Sequence, residues 1–335
     1  MERRHFIAAT AAAAATGATA GLASPRGARA QVPGAGDWPR EPVRVVIPYS
    51  AGGPTEVAGR ILGQELSKNL GQNFLIDLRP GGNSVIGTEY VARAKPDGYT
   101  LLMQAAAFAI NPTLLPRLPF DTVADFEPIT MATRSGLVLI TQTGSPISTV
   151  ADVIAFARAK PGMAQFASAG NGSMSHMSME LFASMAKIEA VHIPYKGSGA
   201  ALPDLIGGHV PFMIDNLGSA MPHIRGGKLK AIATTGSRRA EMLPAVPTIA
   251  ETPALAGYET SNWFGFLAPA KMPVALMDRI HGELVKVIRR PDIVERFARD
   301  GVEAVGNSRA EFAAFLRNEM SKWGKVIKER NIKAD

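Results

Sequence analysis

Short apolar runs rich in β-branched residues alternate with helical patterns along most of the chain, and most of those runs end in a small-residue turn. "VRVVI" (43–47) passes through "PYSAGGPTEVAGR" into a helix expected from about Thr55 to Leu70. "NFLID" passes through "RPGGNSVIG" into a second helix, while "YTLLMQ" leads into a segment expected to be irregular. This order predicts βαβ units and a parallel sheet. A second set follows: "LVLITQ", "TVADVIAFARA", "QFASAG", "SHMSMELFASMA", "AVHIPY", "GAALPDLIGG", "VPFMIDN" and "KAIATTG". A late strand, "SNWFGFLA", precedes helices expected over 273–289, 292–299 and 308–330. Two sheet-forming blocks with helices returning at the end predict an α/β fold of two lobes, crossed twice by the chain. The expected division is 40–140 plus 262–335 for one lobe and 141–261 for the other. A ligand belongs in the cleft between them.

The first thirty residues stand apart. Arg3 and Arg4 precede an Ala-rich, mildly apolar stretch, and "ARA" stands directly before Gln31. That is the pattern of an export signal over 1–30, and the paired arginines suit the twin-arginine route. The chain has no cysteine, which excludes thiol catalysis, disulfides, Cys-ligated zinc and a lipid anchor at the cleavage site. The formal charge of +7 falls to +4 once the signal is removed. The remaining Lys and Arg are scattered, without the basic stripe and stacking aromatics of a nucleic-acid binder. A mild positive charge suits a small anionic solute instead. The mature protein is expected to be free in the periplasm and monomeric.

Three Gly-rich turns carry the functional expectation: "AGGPTE" (51–56), "PGGNS" (80–84) and "AGNGSMSH" (169–176). Each sits between a strand end and a helix start, where unpaired N–H groups point outward and attract an anion. None ends in Gly-Lys-Ser/Thr, and "GGPTEVAG" lacks the GxGxxG spacing, so a nucleotide is not the expected occupant. A carboxylate is. Ser175, His176 and Glu180 invite a hydrolase reading, yet i, i+1 and i+5 do not share a helix face and no GxSxG elbow occurs. There is no HExxH or paired-His spacing for a metal. Lys196 reads as a surface lysine. Met174, Met177, Met179 and Met185 read as core fillers.

Together, "VRVVIPYSAGGPTEVAGR", "RPGGNSVIG", "KPDGYTLL", "INPTL", "FEPIT", "AGNGSMSHMSMELF", "HIPYKGSGAALPDLIGGHVPFMID", "GKLKAIATTG" and "VPTIAE" resemble the Bug-type substrate-binding proteins of tripartite tricarboxylate transporters. The likeness spans about residues 40 to 330. It implies a two-lobed periplasmic binding fold of type II, no cofactor, no enzymatic activity, and a carboxylate solute passed to membrane permease subunits. Carried over by position, the implied ligand contacts are Gly52, Gly53, Pro54, Thr55 and Glu56 in the first loop, where the family often has Asp at the place of Glu56. Gly82, Asn83 and Ser84 follow in the second loop, Gly172, Ser173 and His176 in the third, and Asp215 at a strand end. The segment before "INP", commonly Ser/Thr/Gly-rich, reads "QAAAF" here. That departure adds Ala107 and Phe108 as an apolar wall and favours a carboxylate with an aromatic or aliphatic body over malate or citrate. A periplasmic sensor for the same kind of ligand, or an exported serine hydrolase using Ser175 and His176, are the other readings the residues allow.

Overall fold

The computed structural model describes residues 35–159 and 164–334; the export-signal expectation lies outside them. The elements run β1 (Val43–Ile47), α1 (Pro54–Leu70), β2 (Phe74–Leu78), α2 (Val85–Ala92), β3 (Thr100–Gln104), α3 (Ala107–Leu114) and β4 (Phe126–Gln142). Next come α4 (Val150–Ala159), β5 (Gln165–Ser168), α5 (Met174–Ala186), β6 (Val191–Pro194), α6 (Ser198–Ile206), β7 (Phe212–Asn216), α7 (Leu217–Arg225) and β8 (Leu229–Thr234). The chain closes with β9 (Ser261–Pro269), α8 (Val274–Ile288), α9 (Pro291–Ala298), β10 (Val302–Ala304) and α10 (Arg309–Glu329).

The strand order carries the architecture. One half of the sheet reads β2-β1-β3-β9-β4 and the other β6-β5-β7-β4-β8. In each half the second, first and third strands are parallel, then an antiparallel incoming strand is inserted before the fourth. The two halves are therefore built on one plan, and β4 belongs to both. Along one flank of β4 the partner changes from β8 (Val138 opposite Thr234) to β9 (Gly136 opposite Ser261). Along the other flank it changes from β7 (Leu137 opposite Asn216) to β10 (Ser135 opposite Val302). The crossing lies at Ser135–Leu137. Thr235 fastens it, its hydroxyl accepting from Leu137 N at 2.9 Å and donating to Thr260 O at 2.8 Å.

Direction follows from pairing. β3 runs antiparallel to β9 and β9 antiparallel to β4, so β1–β3 run with β4 and their C-terminal ends face the second half. β7 runs antiparallel to β4 and carries β5 and β6 with it, so their C-terminal ends face the first half. All the Gly-rich turns therefore face one another.

Three features were not expected from the sequence, the short strand β10 among them. The segment after "YTLLMQ" is helical despite Pro112, and the strand expected as "LVLITQ" begins eleven residues earlier, at Phe126. The long C-terminal helix α10 packs on α3, β4 and α5, burying Phe312, Leu316 and Trp323. It approaches so closely that a Cβ on Gly265 would lie 2.2 Å from Phe312 Cζ. Met174, Met177 and Met179 are buried and Met185 packs against the same core.

Candidate ligand-binding cleft

In the first half, Gly53 caps α1 and Pro54 occupies its first position, where the missing N–H costs nothing. Glu56 reaches back so that one carboxylate oxygen accepts the Gly52 N–H at 2.6 Å while the other accepts from Arg60 Nε at 2.6 Å. Those two donors, Gly52 first, hold its carboxyl below the usual range. Glu56 thus shapes the turn with both oxygens occupied. Among the described residues, the N–H groups of Gly53, Thr55 and Glu56 have no protein acceptor. They form the donor set at the head of α1.

The second loop is a run of left-handed backbone: φ is 120° at Gly81, 57° at Gly82, 53° at Asn83 and 73° at Ser84. Side chains other than Gly are strained there by about 1–3 kcal/mol each, so the surroundings must hold them. Asn83 and Asn111 exchange two bonds, Nδ2 to Oδ1 and Asn111 Nδ2 to Asn83 O, both 2.8 Å. Gln104 Nε2 donates to Ser84 Oγ at 3.2 Å and to Thr88 Oγ1 at 2.9 Å, and Thr88 donates to Ser84 O at 2.7 Å. Gln104 Oε1 accepts from Ala105 N at 2.8 Å and from the Tyr49 hydroxyl. Burial pushes the Tyr49 phenol well above its ordinary value. This network fixes three loops relative to one another. Tyr49, Gln104 and Asn111 were not singled out in the sequence, although a Gln ending an apolar run was a signal available there.

Ala107 is half-buried at the head of α3. Phe108, expected beside it on the cleft wall, turns into the core and packs edge-to-face on Phe126 at 5.3 Å. A helix presents successive side chains about 100° apart, so Ala107 and Phe108 cannot both face the same side.

The second half repeats the device of the first. Ser173 caps α5, accepting from His176 N at 3.2 Å and donating to Gly170 O at 2.6 Å. His176 Nδ1 accepts the Gly172 N–H at 3.1 Å, so the ring proton sits on Nε2, which lies 3.6 Å from Glu180. Glu56 and His176 hold the same helical position and tie down the residue before the cap in the same way. The His176 ring stacks on His192 at 3.8 Å and 7°, and His192 shares a 2.6 Å bond with Ser168. Burial raises the Glu180 pKa, but His176 and Arg330 (2.8 Å) outweigh it and hold the carboxyl below the usual range. Ser175 is buried and its hydroxyl donates to Ile214 O, so it forms no nucleophile–base pair with His176.

Asp215 is the last residue but one of β7, fully buried. Its Oδ1 accepts from Ser198 Oγ at 2.6 Å, Ser198 being the first residue of α6. Among the described residues its Oδ2 has no partner. Lys196, in the turn ahead of α6, is exposed.

The two rims meet. A Cβ on Gly172 would lie 3.1 Å from Leu114 Cδ2 and 3.8 Å from Asn83 Nδ2, so the third loop touches the second across the cleft. A cavity of about 430 Å³ lies elsewhere, against the crossing strands at Arg134, Gly136, Met242 and Gly301, and none of the Gly-rich turns lines it. Facing helix heads with free N–H groups make a site that can hold an anion.

That arrangement on this fold is a two-lobed solute-binding protein. The chain belongs to the tripartite tricarboxylate transporter family receptors (TctC), whose family model matches residues 58–332. It is 33% identical over 318 residues to protein BugT of Bordetella pertussis (strain Tohama I), covering 94% of this chain and 95% of that one. Among solved structures it is similar to R. palustris Rpa4515 with adipate (TM-score 0.77, 32% identity, 88% of this chain and 99% of the other). It is also similar to MatC (Rpa3494) from Rhodopseudomonas palustris with bound malate (TM-score 0.73, 27% identity, 87% and 100%). Members of this family are non-enzymatic receptors, and the hydrolase reading is set aside.

Proposed function

We propose that this receptor is exported to the periplasm by the signal in residues 1–30, closes on a small carboxylate between its lobes, and delivers it to the permease subunits of a tripartite tricarboxylate-type transporter. The observation that carries the reading is the set of N–H groups at Gly53, Thr55 and Glu56 without an acceptor among the described residues, on the rim whose Asn83 and Leu114 meet the turn before α5. Backbone N–H groups bond carboxylate oxygens strongly, because the acceptor is charged and the helix terminus carries partial positive charge. The adipate and malate in the two similar structures support a carboxylate. Gly52–Glu56, Gly82–Ser84 and Ala107 contribute from one lobe, and Gly172, Ser173, His176 and Asp215 from the other. Glu56 and His176 act by fixing the turns. The lobes are 40–140 plus 262–335 and 141–261, a division supported by the shared strand plan.

With Ala105, Ala106 and Phe108 in the core, the wall at this point is the methyl of Ala107, which suits the methylenes of an aliphatic acid better than extra polar groups. Ligand binding draws an open–closed equilibrium toward closure. Micromolar affinity corresponds to about −8 kcal/mol, within reach of a few charge-assisted hydrogen bonds and a buried aliphatic body. A thermal-shift screen over mono-, di- and tricarboxylic acids tests this. An acid at 100 times its Kd stabilises the folded protein by about 2.7 kcal/mol and raises Tm. No shift with any acid refutes the reading. Deleting the protein should also abolish cellular uptake of the acid that scores.

A further inference from the structure

We infer that Asp215 meets the solute as a neutral acid, its Oδ2–H donating a hydrogen bond to a solute carboxylate oxygen, so that one proton enters with each solute molecule bound. This rests on the carboxylate reading of the cleft and adds to it the protonation state of the complex.

The geometry leaves one valence open. Oδ1 is filled by Ser198, whereas Oδ2 is buried without a partner. The residue sits at the cleft-facing end of β7, between two helix heads. Ser198 starts α6 on one side, and on the other Ser175 of α5 binds the carbonyl of the preceding residue, Ile214. Among the described residues, no cation offsets a negative charge there. β4 presents Val138 opposite Asp215. The charged and titratable groups of the packed elements are Glu127 and Arg134 on β4, His176 and Glu180 on α5, Asp204 on α6, His223 and Arg225 on α7, and Lys196 ahead of α6. None of them contributes electrostatically at Asp215. Arg134 pairs with Glu303, and Asp204 accepts the Tyr195 hydroxyl. Burial therefore pushes the carboxyl up to about 6, against the lowering effect of the hydrogen bond from Ser198.

A carboxylate solute is purely an acceptor. Facing an ionised Asp215 it would add a second negative charge to a site without a cation, and two carboxylates in that position share one proton. The neutral acid instead supplies an O–H that satisfies both partners.

Linkage gives the sign. The bound form keeps the proton, while the free form loses it above pH about 6. Affinity is then flat from the solute's own carboxylate range up to that pH and falls about tenfold per pH unit above it. Two measurements test this. In ligand-free protein, the infrared carbonyl band of a protonated carboxyl, identified by its absence in Asp215→Asn, should titrate near pH 6. A midpoint in the ordinary carboxylate range overturns the inference whether or not any acid binds. Calorimetry with adipate at pH 7.5, in two buffers of different ionisation enthalpy, should show uptake of close to one proton per adipate. In Asp215→Asn, adipate should bind with no uptake and no pH slope. Adipate binding to the native protein without proton uptake overturns the inference and leaves the receptor reading intact. Failure of every carboxylic acid to bind strikes the receptor reading instead.

Discussion

Gly87 offers a test of how tightly the first two cleft loops are locked. It lies in the first turn of α2, and a Cβ there would meet Arg79 O and Pro48 Cβ at 2.8 Å and Pro48 Cα at 3.1 Å. Ordinary Cβ contacts begin near 3.4 Å, so something must move by about 0.6 Å. Two of the three obstructing atoms are backbone and the third belongs to a proline ring, so no rotamer change relieves the clash. Overpacking of this kind costs about 1–3 kcal/mol. Against it stands the gain of replacing a helical Gly by Ala, about 0.5–1 kcal/mol. The net expectation for Gly87→Ala is a loss of about 1–2 kcal/mol. Because α2 must shift, the Asn83–Ser84 turn shifts with it, and affinity for the solute should fall in parallel. The control is Gly282→Ala in α8, where a Cβ would meet nothing within 4 Å and the same propensity gain stands alone. That variant should gain about 0.5–1 kcal/mol and bind solute as before. Urea titration of both, with m-values compared, reads the difference. If Gly87→Ala proves as stable as the native protein, the close approach of α2 to Pro48 is not a constraint and the reasoning fails.

Two further outcomes follow from the second rim. Ser173→Ala removes the cap of α5, so it should cost about 0.5–2 kcal/mol of stability even without solute, measured by the same titration. An unchanged midpoint would mean that its bonds to His176 N and Gly170 O carry no weight. Glu180 has its pKa lowered, so its contribution to stability is present above the usual carboxylate range and is lost as pH falls through that range and below it. Arg330→Gln should cost about 1–3 kcal/mol at pH 7 and flatten the acid limb of a stability–pH profile, because Glu180 then titrates closer to its ordinary value. An acid limb as steep as that of the native protein would assign it to other carboxylates.

The sequence by itself determined the elements that rest on local periodicity and on turn chemistry. Val43–Ile47, the long helix after Gly53, the helix after Ser173 and the three C-terminal helices sit within a residue or two of their expected bounds. The Gly-rich turns were legible for the same reason, since only small residues serve a strand end that becomes a helix start. The concatenated motifs also pointed to the family. Tertiary structure decided the rest. "AINPTL" folds as a helix against α10 although Pro112 removes one of its N–H donors, and "FEPITMATRSG" becomes strand because β9 and β10 pair with it from more than a hundred residues away. Asn83 and Ser84 adopt left-handed backbone that their own propensities disfavour, held by Asn111 and Gln104, 28 and 20 residues distant. Phe108 faces the core and Ala107 the other way because α3 lies with one side on Phe126. Glu56 and His176 are bonded inward to their own turns, and Asp215 is left with an open oxygen. Periodicity says which residues form an element. Which face of it meets solvent, core or cleft depends on surfaces brought together only by the pairing of distant strands.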